Sequence, residues 1–253
     1  MIQLSAISSR APKGFEKEEI KRKTERMARR IGDLQNVMYA EKKQNILVVF
    51  QGMDASGKDG ATRKVFAFSN PTGIDAYPFK KPTEDEFAHD FLWRIHKQAP
   101  AKGMLHIFIR SHYEDVLIQR VHKWINEEKV TNRIKSINDW ETLLQQDNNT
   151  TVLKFYMHIS RERQKEKLQE RIDDPRKHWK HKDGDWKEAE LWNDYMSCYE
   201  DVINRSTIPW MIAPCDQRWY RDYFIAEKVL AAMESMNLKL PTIDVKSTIE
   251  PGK

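Results

Sequence analysis

The sequence predicts an α/β fold: a three-layer α/β/α sandwich on a central parallel sheet, with a helical lid. Three observations support this. A short continuous apolar run at Ile46–Phe50 is the pattern of a strand buried on both faces, and further strands are expected at Met104–Ile109 and Val152–Ile159. Charged segments with helical periodicity separate these runs, and such alternation places helices on both faces of a parallel sheet. A G-x-x-x-x-G-K motif stands between the first apolar run and the helical pattern that follows.

Taken in order, residues 1–13 form an irregular leader. From Phe15 to Lys43, the residues Ile20, Met27, Ile31, Leu34, Val37 and Met38 recur at mostly three- and four-residue steps, predicting a long N-terminal helix over about 15–43. The strand Ile46–Phe50 leads through a glycine-framed turn into a helix that continues over Thr62–Phe68 and breaks at Asn70, Pro71 and Gly73. A weaker strand is expected at Asp75–Phe79. Thr83, with Pro82 before it and Glu86 three residues on, starts a helix that runs towards Pro100. After Met104–Ile109 come helices near Glu114–Trp124 and Ile137–Gln146, the strand Val152–Ile159 and a helix over Arg161–Asp173. Residues of about 173–187 are basic and loop-like, with Pro175 and Gly184, an insertion that could act as a lid. A helix over Glu188–Asn204, a last strand at Trp210–Ala213 and a closing helix at Tyr223–Met233 follow. The tail Asn237–Lys253 is expected to be loosely held. One domain over 1–253 is the simplest count.

Composition narrows the partners. The 253 residues carry 43 Lys and Arg against 38 Asp and Glu, a net charge of +5 that favours anionic ligands. The two cysteines, Cys198 and Cys215, make neither a disulfide framework nor a metal-ligand spacing, so a reducing cytoplasm is expected. No apolar run approaches the roughly 18 residues that span a bilayer, and no membrane association is expected.

The loop Gly52-Met53-Asp54-Ala55-Ser56-Gly57-Lys58, continued by Asp59 and Gly60, is built to hold phosphate. Its glycines let backbone N–H groups turn inward, the helix start adds partial positive charge, and Lys58 supplies a point charge. Asp59 stands where such loops usually have Ser or Thr; it either complements the helix dipole or makes an outer contact to a metal. Asp54 faces the same polyanions, which is tolerable if Mg²⁺, or Mn²⁺, lies between, so Asp54 is the expected metal ligand.

Arg110, Glu114 and Asp115 follow a strand end, where ligands of open α/β sheets bind. Arg110 could clamp a transferring phosphoryl group, and Glu114 or Asp115 could hold Mg²⁺ or orient an attacking phosphate. The alternative is a helix start bearing acids after a Ser111 cap. Lys80 and Lys81 are candidates for a polyanion path or plain surface lysines, and Arg94 could reach a nucleotide. Phe91 and Trp93 are assigned to packing. Arg176, Lys177 and Lys180 make residues 173–187 a positive cover that would exclude water on closing.

The segments "GMDASGKDG", "PTEDEFAHDFLWRIH", "RSHYEDVLIQRV", "LKFYMHIS" and "QERIDDPRKHWK", in this order, resemble family-2 polyphosphate kinases. The resemblance implies a P-loop kinase-like fold with a mobile lid, and Mg²⁺-dependent phosphoryl transfer between inorganic polyphosphate and adenine or guanine nucleotides. Asp54 and Lys58 match its first motif and Arg110 its second. Ile109 stands where the family often has Asp or Asn, so the metal role at that position is either lost or moved to Asp115. The Glu114–Asp115 pair looks like the subgroup that accepts both mono- and diphosphates. Arg171, Arg176, Lys177 and Lys180 match its phosphate-binding lid residues. A homo-oligomer is implied, and nucleic acid is not expected as a partner. Two other readings stay open: an ATP-dependent nucleotide kinase of the same fold, and a non-catalytic basic module that binds polyanions.

Overall fold

The computed structural model describes residues 1–242, so the expected tail beyond residue 242 lies outside the described residues. Five strands make one parallel sheet: β1 (Asn45–Gln51), β2 (Ile74–Pro78), β3 (Leu105–Ile109), β4 (Thr150–His158) and β5 (Trp210–Pro214), in the order β2-β3-β1-β4-β5. β1 lies between β3 and β4, and all seven of its residues are buried, as its unbroken apolar run requires. β2 is an edge strand with Asp75 and Ala76 exposed, which explains its weaker apolar pattern. The strand order reverses at β1, so the crevice beyond its carboxyl end is where such a sheet receives a ligand.

Helices cover both faces. On one, α1 (Lys17–Glu41), α2 (Lys58–Val65) and α10 (Arg218–Ser235) pack together. On the other, α5 (Glu114–Val121), α6 (Glu127–Asn148) and α9 (Trp192–Arg205) do so. The apolar stripe of α1 is buried at Ile20, Ile31, Leu34 and Met38.

Several elements differ from the sequence expectation. The helix expected from Thr83 towards Pro100 is two short ones, α3 (Glu84–Ala88) and α4 (Trp93–His96). The capping box forms, but the Asp90 carboxylate accepts from the Leu92 N–H at 2.9 Å, a turn that competes with helix continuation. The second expected helix is much longer as α6, because Asn126 caps it eleven residues earlier by accepting from Lys129 N–H. After α7 (Arg161–Asp173), the segment expected as loop is helical. Pro175–Lys180 is a 3₁₀ turn capped by Asp174, and α8 spans Asp183–Glu190. The leader, expected to be irregular, has one short turn at Leu4–Ala6 and is docked: Leu4 is buried, and Ile2 and Leu4 donate their N–H groups to Asn204 and Glu200.

One charged network crosses the core. Lys154 on β4 and Glu141 on α6 are fully buried and paired at 2.6 Å. Tyr113 Oη accepts from Lys154 and donates to Glu141, and His112 Nε2 lies 3.1 Å from the same carboxylate. These contacts pin the two residues that lead from the end of β3 into α5.

Removing one partner of a buried pair strands the other charge. Lys154→Met is therefore expected to lower the unfolding free energy by about 3–5 kcal/mol in urea denaturation, and a loss near zero would contradict this. Acid should destabilise the protein as well. Burial pushes the imidazoles of His112 and His158 below the ordinary value of 6.5. The unfolded chain therefore takes up protons first as the pH falls below about 6.5, and stability falls with it. Burial raises the Glu141 carboxyl, but His112 and Lys154 outweigh it and hold it below 4.5, which adds a further loss at lower pH. Denaturation midpoints between pH 7 and 5 measure the histidine contribution. A flat profile would contradict it.

Candidate active site

The loop after β1 depends on two glycines. Gly52 sits at φ +152° against Met157, where a Cβ would come within 2.8 Å of the Met157 carbonyl oxygen. Gly57, at φ +94°, has the Arg221 guanidinium so close that a Cβ would lie 2.0 Å from its Nη1. Between them, Ala55 also has positive φ, at 65°, a conformation that side chains with a Cβ rarely adopt. The Ser56 hydroxyl is buried in the loop without a hydrogen-bond partner. Lys58 opens α2 and turns back, donating to the carbonyls of Gly52 at 2.7 Å and Met53 at 3.1 Å. An ammonium and an orphaned hydroxyl inside a turned-in loop form a cradle for phosphate oxygens.

Arg110 completes the site from the neighbouring strand. Its backbone is left-handed, at φ 64°, and is fixed by its N–H donating to Phe50 O at 2.9 Å. Its guanidinium is ion-paired with Asp54. Gln51, at the end of β1, accepts from the Ser111 hydroxyl and donates to Glu114 at 2.6 Å, so Glu114 faces the loop. From α7, Gln164 donates to the Asp54 carbonyl at 3.1 Å. Burial raises the Asp54 pKa, but the charges of Arg110 and Lys58 outweigh it and hold the carboxyl below its ordinary value. Burial also draws the Lys58 ammonium down, only partly offset by Asp54. Asp54 is therefore an ionised carboxylate at neutral pH, set between two cations.

Among the described residues, no group of three or more His, Cys, Asp or Glu side chains is arranged to hold a metal ion. The donor chemistry nonetheless fits Mg²⁺. That ion takes oxygen ligands and commonly binds through one or two carboxylates plus substrate phosphates, rather than in an all-protein cage. Asp54 is such a carboxylate, beside a phosphate cradle.

Other expected site residues lie apart. Asp115 is buried on the far side of the α5 start, where it accepts from Arg94 at 3.0 Å and from Gln119 at 3.2 Å. Among the described residues, no hydrogen bond or ion pair joins it to Asp54, Lys58 or Arg110. Arg94 and Asp115 instead face a cleft of about 750 Å³ with Phe91, Gln119, Asn132 and Arg133. Phe91 thus borders this cleft, with Arg133 over its ring, while Trp93 stacks on His89. Lys80 and Lys81 are exposed after β2, and the Lys80 carbonyl accepts from Arg94. Asp59 is exposed in the first turn of α2, and Gly60 lies beside Arg221.

Arg171 is ion-paired with Asp185 of α8 and lies near enough to Asp54 to help keep it ionised. Lys177 pairs with Glu170 and Asp174, and Lys180 lies over Trp179. Arg176 is exposed and pairs with Asp174. Glu188 of α8 reaches His122 at 2.9 Å and Tyr195 at 2.5 Å, holding residues 173–190 against the end of α5. Gln51, Gln164, Asp185 and Arg221 belong to this surrounding but were not singled out from the sequence. Gln51, Gln164 and Arg221 act on residues far along the chain, and Asp185 meets Arg171 across the turn between α7 and α8, so no local pattern marks them.

Residues 14–241 match the family described as polyphosphate kinase 2. An AMP/ADP-polyphosphate phosphotransferase of Meiothermus ruber is 41% identical over 222 residues, covering 87% of this chain and 83% of that protein. An ADP-polyphosphate phosphotransferase of Rhodopseudomonas palustris is 37% identical over 84% of this chain and 78% of its own length. The crystal structure of polyphosphate kinase 2 from Arthrobacter aurescens TC1 superposes with a TM-score of 0.92 at 36% identity, covering 96% of this chain and 89% of that one.

Gly57→Ala tests the cradle. The added methyl must displace Arg221 and adopt a strained φ. The variant is expected to fold yet bind tripolyphosphate at least about tenfold more weakly by calorimetry, a loss of ~1.4 kcal/mol. Unchanged affinity would contradict the loop geometry.

Proposed function

Because this chain belongs to the polyphosphate kinase 2 family, we propose that it transfers a phosphoryl group between inorganic polyphosphate and nucleoside mono- or diphosphates. ADP to ATP is the leading reaction, with AMP and GDP as further acceptors. The observation that carries this reading is the meeting of Asp54, Lys58 and Arg110 at the ends of two neighbouring strands. Family membership favours an inorganic chain over ATP as donor, and an enzyme over a non-catalytic polyanion-binding module.

The end of the polyphosphate chain would lie in the cradle 52–60, held by loop N–H groups and Lys58. Arg110 would stabilise charge on the phosphoryl group in flight. The acceptor nucleotide would enter the cleft lined by Phe91, Arg94 and Arg133, its terminal phosphate directed at the cradle. The attacking phosphate oxygen is already ionised near neutral pH, so the chain need not supply a strong base. Glu114, aimed at the loop by Gln51, would orient that phosphate through hydrogen bonding or a shared cation. The ion pair of Asp115 with Arg94 favours a role on the acceptor side over metal binding. Mg²⁺ or Mn²⁺ held by Asp54 would neutralise the repulsion between the two phosphate groups. Residues 173–190, latched by the contacts of Glu188 and Asp185, would act as a lid that keeps water from competing with the acceptor.

A cytoplasmic location and a homo-oligomer belong to the same reading. Both cysteines are free and buried, as a reducing compartment allows. No helix of the described residues is long and apolar enough to cross a membrane.

Incubation with ADP, long-chain polyphosphate and Mg²⁺ should yield ATP, and its absence would count against the function. Asp54→Asn should keep the fold and lower kcat/KM by at least about 100-fold. Near-normal turnover by that variant would remove Asp54 from the reaction.

A further inference from the structure

Ala55, in the middle of the cradle loop, holds φ at 65°, in the left-handed region that a side chain with a Cβ disfavours. Such a conformation is kept only where its surroundings hold it. Part of the hold comes from a distant helix. Gln164, on α7 and 110 residues along the chain, donates its side-chain amide to the Asp54 carbonyl at 3.1 Å.

The Asp54 carbonyl and the Ala55 N–H belong to one peptide unit, and in a planar trans peptide they point in opposite directions. Drawing the carbonyl towards α7 therefore turns the Ala55 N–H away from that helix. Among the described residues, this N–H donates to no protein group, so it is free for an anion in the loop. It stands beside the buried Ser56 hydroxyl, which also lacks a partner. Gln164 is itself buried, at 1% exposure, and its Oε1 has no partner either. A buried orphan acceptor is costly, and the one bond its amide makes is the bond to Asp54.

The helix that carries Gln164 is anchored at its start. Ser160 caps α7, and Asp216 accepts from the Ser160 N–H at 2.8 Å and from the Ser9 hydroxyl at 2.9 Å. At its other end α7 runs on into residues 173–190, to which Arg171 is ion-paired through Asp185.

We propose that Gln164 is a positioning residue for the cradle: by holding the Asp54 carbonyl, it sets the peptide so that the Ala55 N–H meets phosphate. The proposal rests on the function given above for the loop. Gln164 acts through that peptide and touches no phosphate. A shift of α7 would release the carbonyl, which couples the orientation of the cradle to the helix that bears the lid.

Gln164→Met tests this, because it keeps the length and burial of the side chain and removes the donor. Amide resonances of isotope-labelled protein are recorded with and without tripolyphosphate, and affinity is measured by calorimetry. In the unaltered protein the Ala55 amide proton is expected to move downfield on binding. In the variant that response should be lost and affinity should fall about fivefold, the worth of one hydrogen bond. Gln164→Asn, whose amide stops one methylene short of the carbonyl, should behave alike, and it carries the test if the first variant does not fold. A lower melting temperature with the Ala55 response intact marks a merely structural role and would overturn the proposal, as would unchanged affinity. ATP synthesis from ADP by the unaltered enzyme is read in parallel. Its absence alongside a Gln164-dependent Ala55 response would sink the activity and leave the positioning role standing. Failure of the unaltered protein to bind tripolyphosphate would sink the cradle and this role together.

Discussion

Two neighbouring strands end in opposite charges, and the ion pair between Asp54 and Arg110 binds those ends together. Much else in the molecule serves to hold this pair in place. The carboxylate sits on a loop whose turns need Gly52 and Gly57, and Arg110 occupies a left-handed backbone that a side chain with a Cβ resists. Such a conformation persists only where its surroundings over-determine it. Here the Arg110 N–H is tied to the end of β1, and two and three residues later the chain is clamped at His112 and Tyr113 by buried Glu141 and Lys154. A costly buried ion pair in the core thus braces the chain that follows Arg110, through His112 and Tyr113.

The same pair explains how acids can belong to a phosphate cradle. With no anion present, Asp54 satisfies Arg110 and keeps Lys58 company, so three charges lie close without a large net field. On the proposed function, phosphate would give Lys58 and Arg110 a new partner and leave Asp54 free to share a divalent cation with it. Arg171 and Asp185 repeat the arrangement on the facing segment, one cation and one acid closed on each other. On each side of the site, then, an arginine is held by an acid, a pairing that a bound phosphate would compete with. The surroundings divide into regions of distinct character: an aromatic and polar cleft on the α5 and α6 side, the cradle at the carboxyl end of the central strand β1, and a groove rich in Lys and Arg between α7 and α10.

The sequence reveals the sheet well because four of its strands are short apolar-rich runs bounded by polar or turn residues, two of them interrupted only by His106 and by Lys154 and His158. It reveals helix ends less well where polar side chains decide them. Asp90 interrupts a pattern that looks helical through residues 83–99, and Asn126 starts α6 in a stretch with weak apolar periodicity. The cradle is legible because its spacing is local. The division of labour between Glu114 and Asp115 is not, since adjacent residues on a helix point about 100° apart and only packing decides which faces the loop. Here Gln51 takes Glu114 and Arg94 takes Asp115. Arg221 and Gln164 reach the cradle from helices more than 100 residues along the chain, and no local pattern announces them.

The central claim is that Asp54 is where a divalent cation joins the phosphate to the protein. Calorimetric titration of tripolyphosphate into the unaltered protein and into Asp54→Asn, each with and without Mg²⁺, tests it most directly. Mg²⁺ should tighten binding to the unaltered protein and give no gain in the variant, whose metal-free affinity should equal or exceed the original because one repelling charge is gone. An equal Mg²⁺ gain in both proteins would contradict the account.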